Sequence, residues 1–119
     1  MSVYHAYLRW LSTQLPGAGD NMINQHGTCS MLDGILISFK ELHARRAPGK
    51  ACLSSLQSGV VGTRQQPVNN SKGCGGVMCI APVGLVEPKD RVFDTACKIA
   101  AITHGHPTGY LAAGCKLSA

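Results

Sequence analysis

An all-α fold is predicted, on three observations. Apolar residues recur at helical spacing in several separate segments. The 14 glycines and 6 prolines fall mostly between those segments rather than inside them. No stretch alternates apolar and polar residues in the way a half-buried strand requires.

Each element follows in chain order. Val3, Tyr4, Tyr7, Leu8, Leu11 and Leu15 share one helical face, so residues 2–15 read as an amphipathic helix that Pro16-Gly17 stops. Asn21 to Thr28 is polar and reads as a loop. Leu32, Ile35, Leu36, Phe39 and Leu42 predict a second helix ending at Arg45-Arg46, where cations complement the helix C-terminus. After Ala47-Pro48-Gly49, a short third helix over Ala51 to Ser58 ends at Gly59. Residues 59–76, rich in Gly and Asn, form a long loop, and long loops in small domains usually serve function. Val77 to Val86 predicts a short helix kinked or broken at Pro82. Val92, Phe93, Ala96, Ile99, Ala100 and Thr103 mark a strong helix with Asp90 as its N-cap. A last helix runs from about Thr108 to the end, with Pro107 in its first turn.

Composition excludes several functions. The chain of 119 residues is long enough for one ordinary domain, and its 45% hydrophobic content excludes a disordered chain. No apolar run reaches the ~18 residues of a membrane span, and the N-terminus carries no signal peptide, so a cytoplasmic protein without a membrane partner is expected. The six cysteines show no C-x-x-C pair and are expected to be reduced thiols. Only His104 and His106 approach the spacing of zinc ligands. The net charge of +5 comes from scattered residues without interleaved aromatics, which argues against nucleic acid and suits a phosphate-bearing small molecule. The six carboxylates are Asp20, Asp33, Glu41, Glu87, Asp90 and Asp94, and no two are adjacent or alternate. Asp90 and Asp94 fall on one predicted helix face and read as a solvated helix start.

Two segments point to binding chemistry. Pro67-Val68-Asn69-Asn70-Ser71-Lys72-Gly73-Cys74-Gly75-Gly76 leads into an apolar segment. Glycines let the backbone approach a ligand and turn successive N–H groups toward an anion, while Ser71 adds a hydroxyl and Lys72 a cation. The order of residues matches neither the P-loop nor the dinucleotide fingerprint. A flexible Gly/Asn turn is the plainer alternative. The second segment, Thr103 to Tyr110, sets His104 and His106 at a helix junction beside Tyr110. Ribose or phosphate binding, metal ligation and acid–base chemistry all suit such a pair. So does a bland arrangement in which His104 packs and His106 is a turn residue.

Together, Asn70-Ser71-Lys72-Gly73-Cys74-Gly75-Gly76-Val77-Met78, Ala81-Pro82-Val83-Gly84-Leu85 and Ala101 to Tyr110 resemble the ADP-ribosylglycohydrolase family. Ala6-Tyr7-Leu8-Arg9-Trp10, Arg45 to Gly49 and Cys52-Leu53-Ser54 extend the resemblance, in the same order, over nearly the whole chain. The family is all-α and hydrolyses glycosidic bonds between ADP-ribose and protein side chains, usually with two magnesium ions held by aspartate-rich motifs. The resemblance implies that Asn70, Ser71, Lys72, Gly73, Cys74 and Gly75 cradle the diphosphate, that His104 sits by the ribose, and that Tyr110 lines the nucleotide pocket. ADP-ribose or an ADP-ribosylated protein is the implied partner.

The chain also departs from the family pattern. Cys79 stands where the family commonly has Arg, and Lys50-Ala51 where it commonly has Asn-Thr. The aspartate-rich stretches lie, in the family, outside the part that residues 1–119 match. The expectation is therefore one incomplete domain over 1–119, retaining the ADP-ribose loop. It would hold no magnesium and no catalytic residues of its own, and would be inactive as an isolated chain. Apolar faces left uncovered predict a homo-oligomer. The alternative is a non-catalytic nucleotide-binding or self-assembling helical module.

Overall fold

The computed structural model describes residues 2–15 and 34–118. Among these, 64% are helical and no strand occurs, so the all-α expectation holds. The chain divides into two compact units, Met1–Pro48 and Gly49–Ala119. The predicted loop over residues 21–28 lies outside the described residues, as does Leu32.

In the first unit, α1 spans Ser2–Gln14. Its buried residues are Tyr4, Leu8, Leu11 and Gln14, spaced four and three apart as one helical stripe requires. Each of Leu8 and Leu11 contributes roughly 1.5–3 kcal/mol by leaving water. The second predicted helix does not form. Two 3₁₀ turns replace it, η1 over Ile35–Ser38 and η2 over Lys40–His43, separated by an extended Phe39 with φ −85° and ψ 103°. Periodicity misleads here because it stabilises a helix only when the apolar face is buried. Ile35 is 78% exposed and Leu36 66%, and Phe39 and Leu42 are exposed too.

The second unit opens with α2, Lys50–Gln57. Gly59, at φ 72°, turns the chain out of that helix in the left-handed conformation that suits glycine. After the long loop come α3, Gly75–Cys79, and α4, Val83–Val86. The break between them falls at Pro82 as expected, because proline offers no N–H to continue the ladder. The start is two residues earlier than predicted and takes in both glycines.

The two long helices are α5, Lys89–Ala101, and α6, Pro107–Ser118. Asp90 is not the N-cap of α5. Pro88 holds that place, with ψ 149°, and its carbonyl accepts the N–H groups of Arg91 and Val92 at 3.0 and 3.1 Å. Asp90 lies in the first turn, where its charge still complements the helix end. Asp94, one turn further, pairs with Arg64 and Lys98, and Arg91 lies 3.4 Å from Glu87. These partly exposed pairs are worth at most about 1 kcal/mol each.

Packing of α5 on α6 builds the core of this unit. Ile80, Val83, Ala96, Ala100 and Ala113 are buried together, with Val77, Ile99, Tyr110 and Leu117 packed on them. Small residues let the two helices approach closely. A Cβ on Gly114 would stand 2.5 Å from Cys97 Sγ and 2.9 Å from the Phe93 ring, so only glycine fits. The close contact fixes the turn Ile102–His106 between the helices, and that turn carries the histidines.

Candidate functional site

The site is the loop Asn69–Gly76 folded over His104. His104 sits just past α5, with 2% of its surface exposed. Its Nδ1 lies 2.9 Å from Thr103 Oγ1, a hydrogen bond that orients the ring. Burial lowers the pKa of His104 below its ordinary 6.5, so the ring is neutral at pH 7. The other edge of the ring faces the loop. A Cβ on Gly75 would stand 3.0 Å from both Cε1 and Nε2, and one on Gly73 3.4 Å from Nε2. A Cβ on Gly76 would meet the ring at 3.4 Å on its Cγ side. Three glycines thus wrap the imidazole where larger residues would crowd it.

Asn69 locks this arrangement. Its Oδ1 accepts the backbone N–H of Ser71 at 2.9 Å and of Gly105 at 3.0 Å. Its Nδ2 donates to Ser55 Oγ at 2.7 Å and to the Thr103 carbonyl at 2.9 Å. Ser55 Oγ also donates to that carbonyl, at 3.2 Å. One side chain therefore joins α2, the loop and the turn after α5. Ser71 extends the lock: its Oγ accepts the Gly73 N–H at 3.2 Å, and its carbonyl accepts the His106 N–H at 3.4 Å.

The loop leaves backbone donors over. Among the described residues, no protein acceptor meets the N–H groups of Lys72, Cys74, Gly75 and Gly76. Asn70, Lys72, Gly73 and Cys74 are exposed, and Ser71 and Gly75 are half-buried. Gly76 is buried, so the N–H groups of Lys72, Cys74 and Gly75, beside a lysine ammonium and a serine hydroxyl, make the surface suited to an anion.

Of the residues the sequence singles out, Ser71, Gly73, Gly75 and His104 come together. Asn70, Lys72 and Cys74 lie on the exposed edge of the same loop. Tyr110 is half-buried and packs against the core cluster of α5 and α6. His106 is a turn residue whose Nδ1 accepts the Thr108 N–H at 3.0 Å. The sequence places Asn69 and Thr103 inside the two binding segments without giving either a role, and it does not mark Ser55. Their partners are far away in the chain, and no local spacing announces them. The cavities of the N-terminal unit are elsewhere again. One of about 460 Å³ is lined largely by apolar parts of α1 and η1, including Trp10, Thr13 and Ile37, and carries no titratable cluster.

The described carboxylates of the C-terminal unit are not grouped as a two-magnesium centre would need. Asp94 is shared by Lys98 and Arg64, which hold its carboxyl below the usual range. Glu87 lies beside Arg91, and Asp90 is exposed at the start of α5. No group of three or more His, Cys, Asp or Glu side chains that could hold a metal occurs among the described residues. No helix among them is long and apolar enough to cross a membrane.

A family model described as ADP-ribosylglycohydrolase matches residues 2–118. The chain belongs to the ADP-ribosylglycohydrolase family. No curated protein and no solved structure matches it. Membership in this hydrolase family accords with the loop described above, since ADP-ribosylated substrates carry a diphosphate.

Proposed function

We propose that Asn69–Gly76 and His104 form the ADP-ribose cradle of this ADP-ribosylglycohydrolase-like protein. The observation that carries the reading is the group of N–H donors at Lys72, Cys74 and Gly75 on a loop already locked by Asn69. A diphosphate is a compact dianion that such donors and the Lys72 ammonium can share. Pre-organisation by Asn69 means little ordering entropy is lost when ligand arrives. Ser71 Oγ, already accepting from Gly73, has its own proton to give a phosphate oxygen. Neutral His104 backs the loop, whose Gly73 and Gly75 close over its Nε2 edge.

Binding is assigned here, and bond cleavage is not. Glycosidase chemistry needs positioned carboxylates or a metal-activated water, and each described carboxylate of the C-terminal unit is paired with a cation or exposed.

Titration calorimetry with ADP-ribose tests the reading. Saturable binding is expected, weakened about 3–10-fold by Ser71→Ala, in line with the loss of one hydrogen bond to a charged group. Absence of ADP-ribose binding by the folded chain overturns it. Hydrolysis of ADP-ribosyl-arginine is expected to stay at background with added magnesium.

A second reading rests on a separate observation. Met78, Leu85 and Val86 are 70%, 88% and 80% exposed, an unusual density of bare apolar side chains on α3 and α4. They support the reading of a self-assembling helical module, most simply a homodimer. Light scattering at several concentrations tests it, and a monomer throughout removes it.

A further inference from the structure

Two cysteines that the ADP-ribose reading does not use meet beside the loop. Cys52 belongs to α2, and Cys79 is the last residue of α3. A Cβ on Gly75 would stand 3.8 Å from Cys52 Sγ, and Cys79 lies one helical turn beyond Gly75 on the same face of α3. The Cys52 thiol lies within interaction range of Cys79 and of the Thr103 side chain. Thr103 in turn holds His104 Nδ1. Both cysteines are half-buried, whereas Cys97 is buried and Cys74 and Cys115 are exposed.

We propose that Cys52 and Cys79 are a dithiol–disulfide modification site, oxidised by a small-molecule disulfide such as oxidised glutathione. One protein thiolate attacks a glutathione sulfur, breaks that S–S bond and releases one glutathione. The other protein thiolate then attacks the protein sulfur of the mixed disulfide, forms the Cys52–Cys79 bond and releases the second glutathione. Two electrons pass from the protein thiols to the oxidant, and the two thiol protons end on the two glutathiones.

Hydrogen bonding to Cys79, together with burial, raises the Cys52 thiol above the ordinary thiol range, so Cys52 keeps its proton at neutral pH. Whichever thiol attacks first, the other resolves the mixed disulfide. The finished bond ties α2 to α3 across the segment that contains Asn69–Gly76. The inference does not depend on what that segment binds.

The test uses the full chain. It is treated with oxidised glutathione, free thiols are blocked with a maleimide, and the protein is cleaved with trypsin without reduction. The expected product links peptide 51–64, which holds Cys52, to peptide 73–89, which holds Cys79. Because 73–89 also contains Cys74, Cys74→Ser is treated in parallel, and the link is expected to persist there. An upward shift of the unfolding midpoint should accompany it, since a cross-link restrains the unfolded chain. Maleimide-labelled Cys52 after oxidation, or a link that disappears in Cys74→Ser, overturns the proposal.

Discussion

Asn69 Oδ1 accepts the backbone N–H of Gly105 at 3.0 Å, and Gly105 in turn leaves no room for a side chain. A Cβ at Gly105 would collide with the Asn69 carbonyl and stand 2.7 Å from Pro67 Cβ. The loop and the histidine turn are thus held in register by one side chain and one missing side chain. Asn69→Ala strips partners from Ser71 N, Gly105 N and the Thr103 carbonyl at once. It should cost about 2–4 kcal/mol, since groups left unpaired in a buried setting each carry a desolvation penalty. Urea unfolding measures this. A loss under ~0.5 kcal/mol would show that the lock is not structural.

Gly75→Ala places a methyl 3.0 Å from two atoms of the His104 ring, so the loop or the ring must move. Overpacking of this kind typically costs about 1–3 kcal/mol. ADP-ribose affinity should fall by about tenfold or more, the equivalent of ~1.4 kcal/mol. Gly49→Ala is the control: its methyl meets only Cys52 Sγ, at 3.7 Å, an ordinary contact. Equal effects of the two substitutions would dissociate the ring–loop contact from binding.

Lys72 is exposed, so Lys72→Ala should leave stability within about 0.5 kcal/mol of the parent. Its charge acts at the ligand. Affinity for ADP-ribose should fall about 3–10-fold at low salt and less at high salt, because salt screens an exposed charge. Calorimetry at two ionic strengths reads both quantities. An unchanged affinity at low salt removes Lys72 from the cradle.

His104 makes stability depend on pH in a defined direction. Burial depresses its pKa in the folded state, whereas the unfolded chain titrates near the ordinary value of 6.5. Below about 6.5 the unfolded state binds the extra proton and the folded state resists it. The stabilisation by neutral His104 is therefore complete above 6.5 and is lost as pH falls from 6.5 toward the folded value. Urea midpoints should decline over that interval, and His104→Gln should flatten the decline. A midpoint that rises on acidification through the same interval contradicts the assignment.

Much of this was legible along the chain. The α1 stripe, Gly59 as the end of α2, the break at Pro82 and the span of α6 each depend on neighbours within a turn or two, so local pattern suffices. The long loop before α3 was legible for the same reason, since its Gly and Asn residues interrupt the helical pattern. The motifs also announced the family, and the family model confirms it. Local pattern failed at Ile35–His43, where helical spacing found no burial to reward it, and at Asp90, where the fixed backbone of Pro88 took the cap.

What only the tertiary structure decided is which distant groups meet. The Asn69 lock spans α2, the loop and the turn after α5. The Cys52–Cys79 contact joins two helices, and Thr103 bridges it to His104. Tyr110 packs against the core cluster that contains Ile80, Val83 and Ala96. Those outcomes rest on packing and on pairing buried polar groups, and both are settled between elements rather than along them.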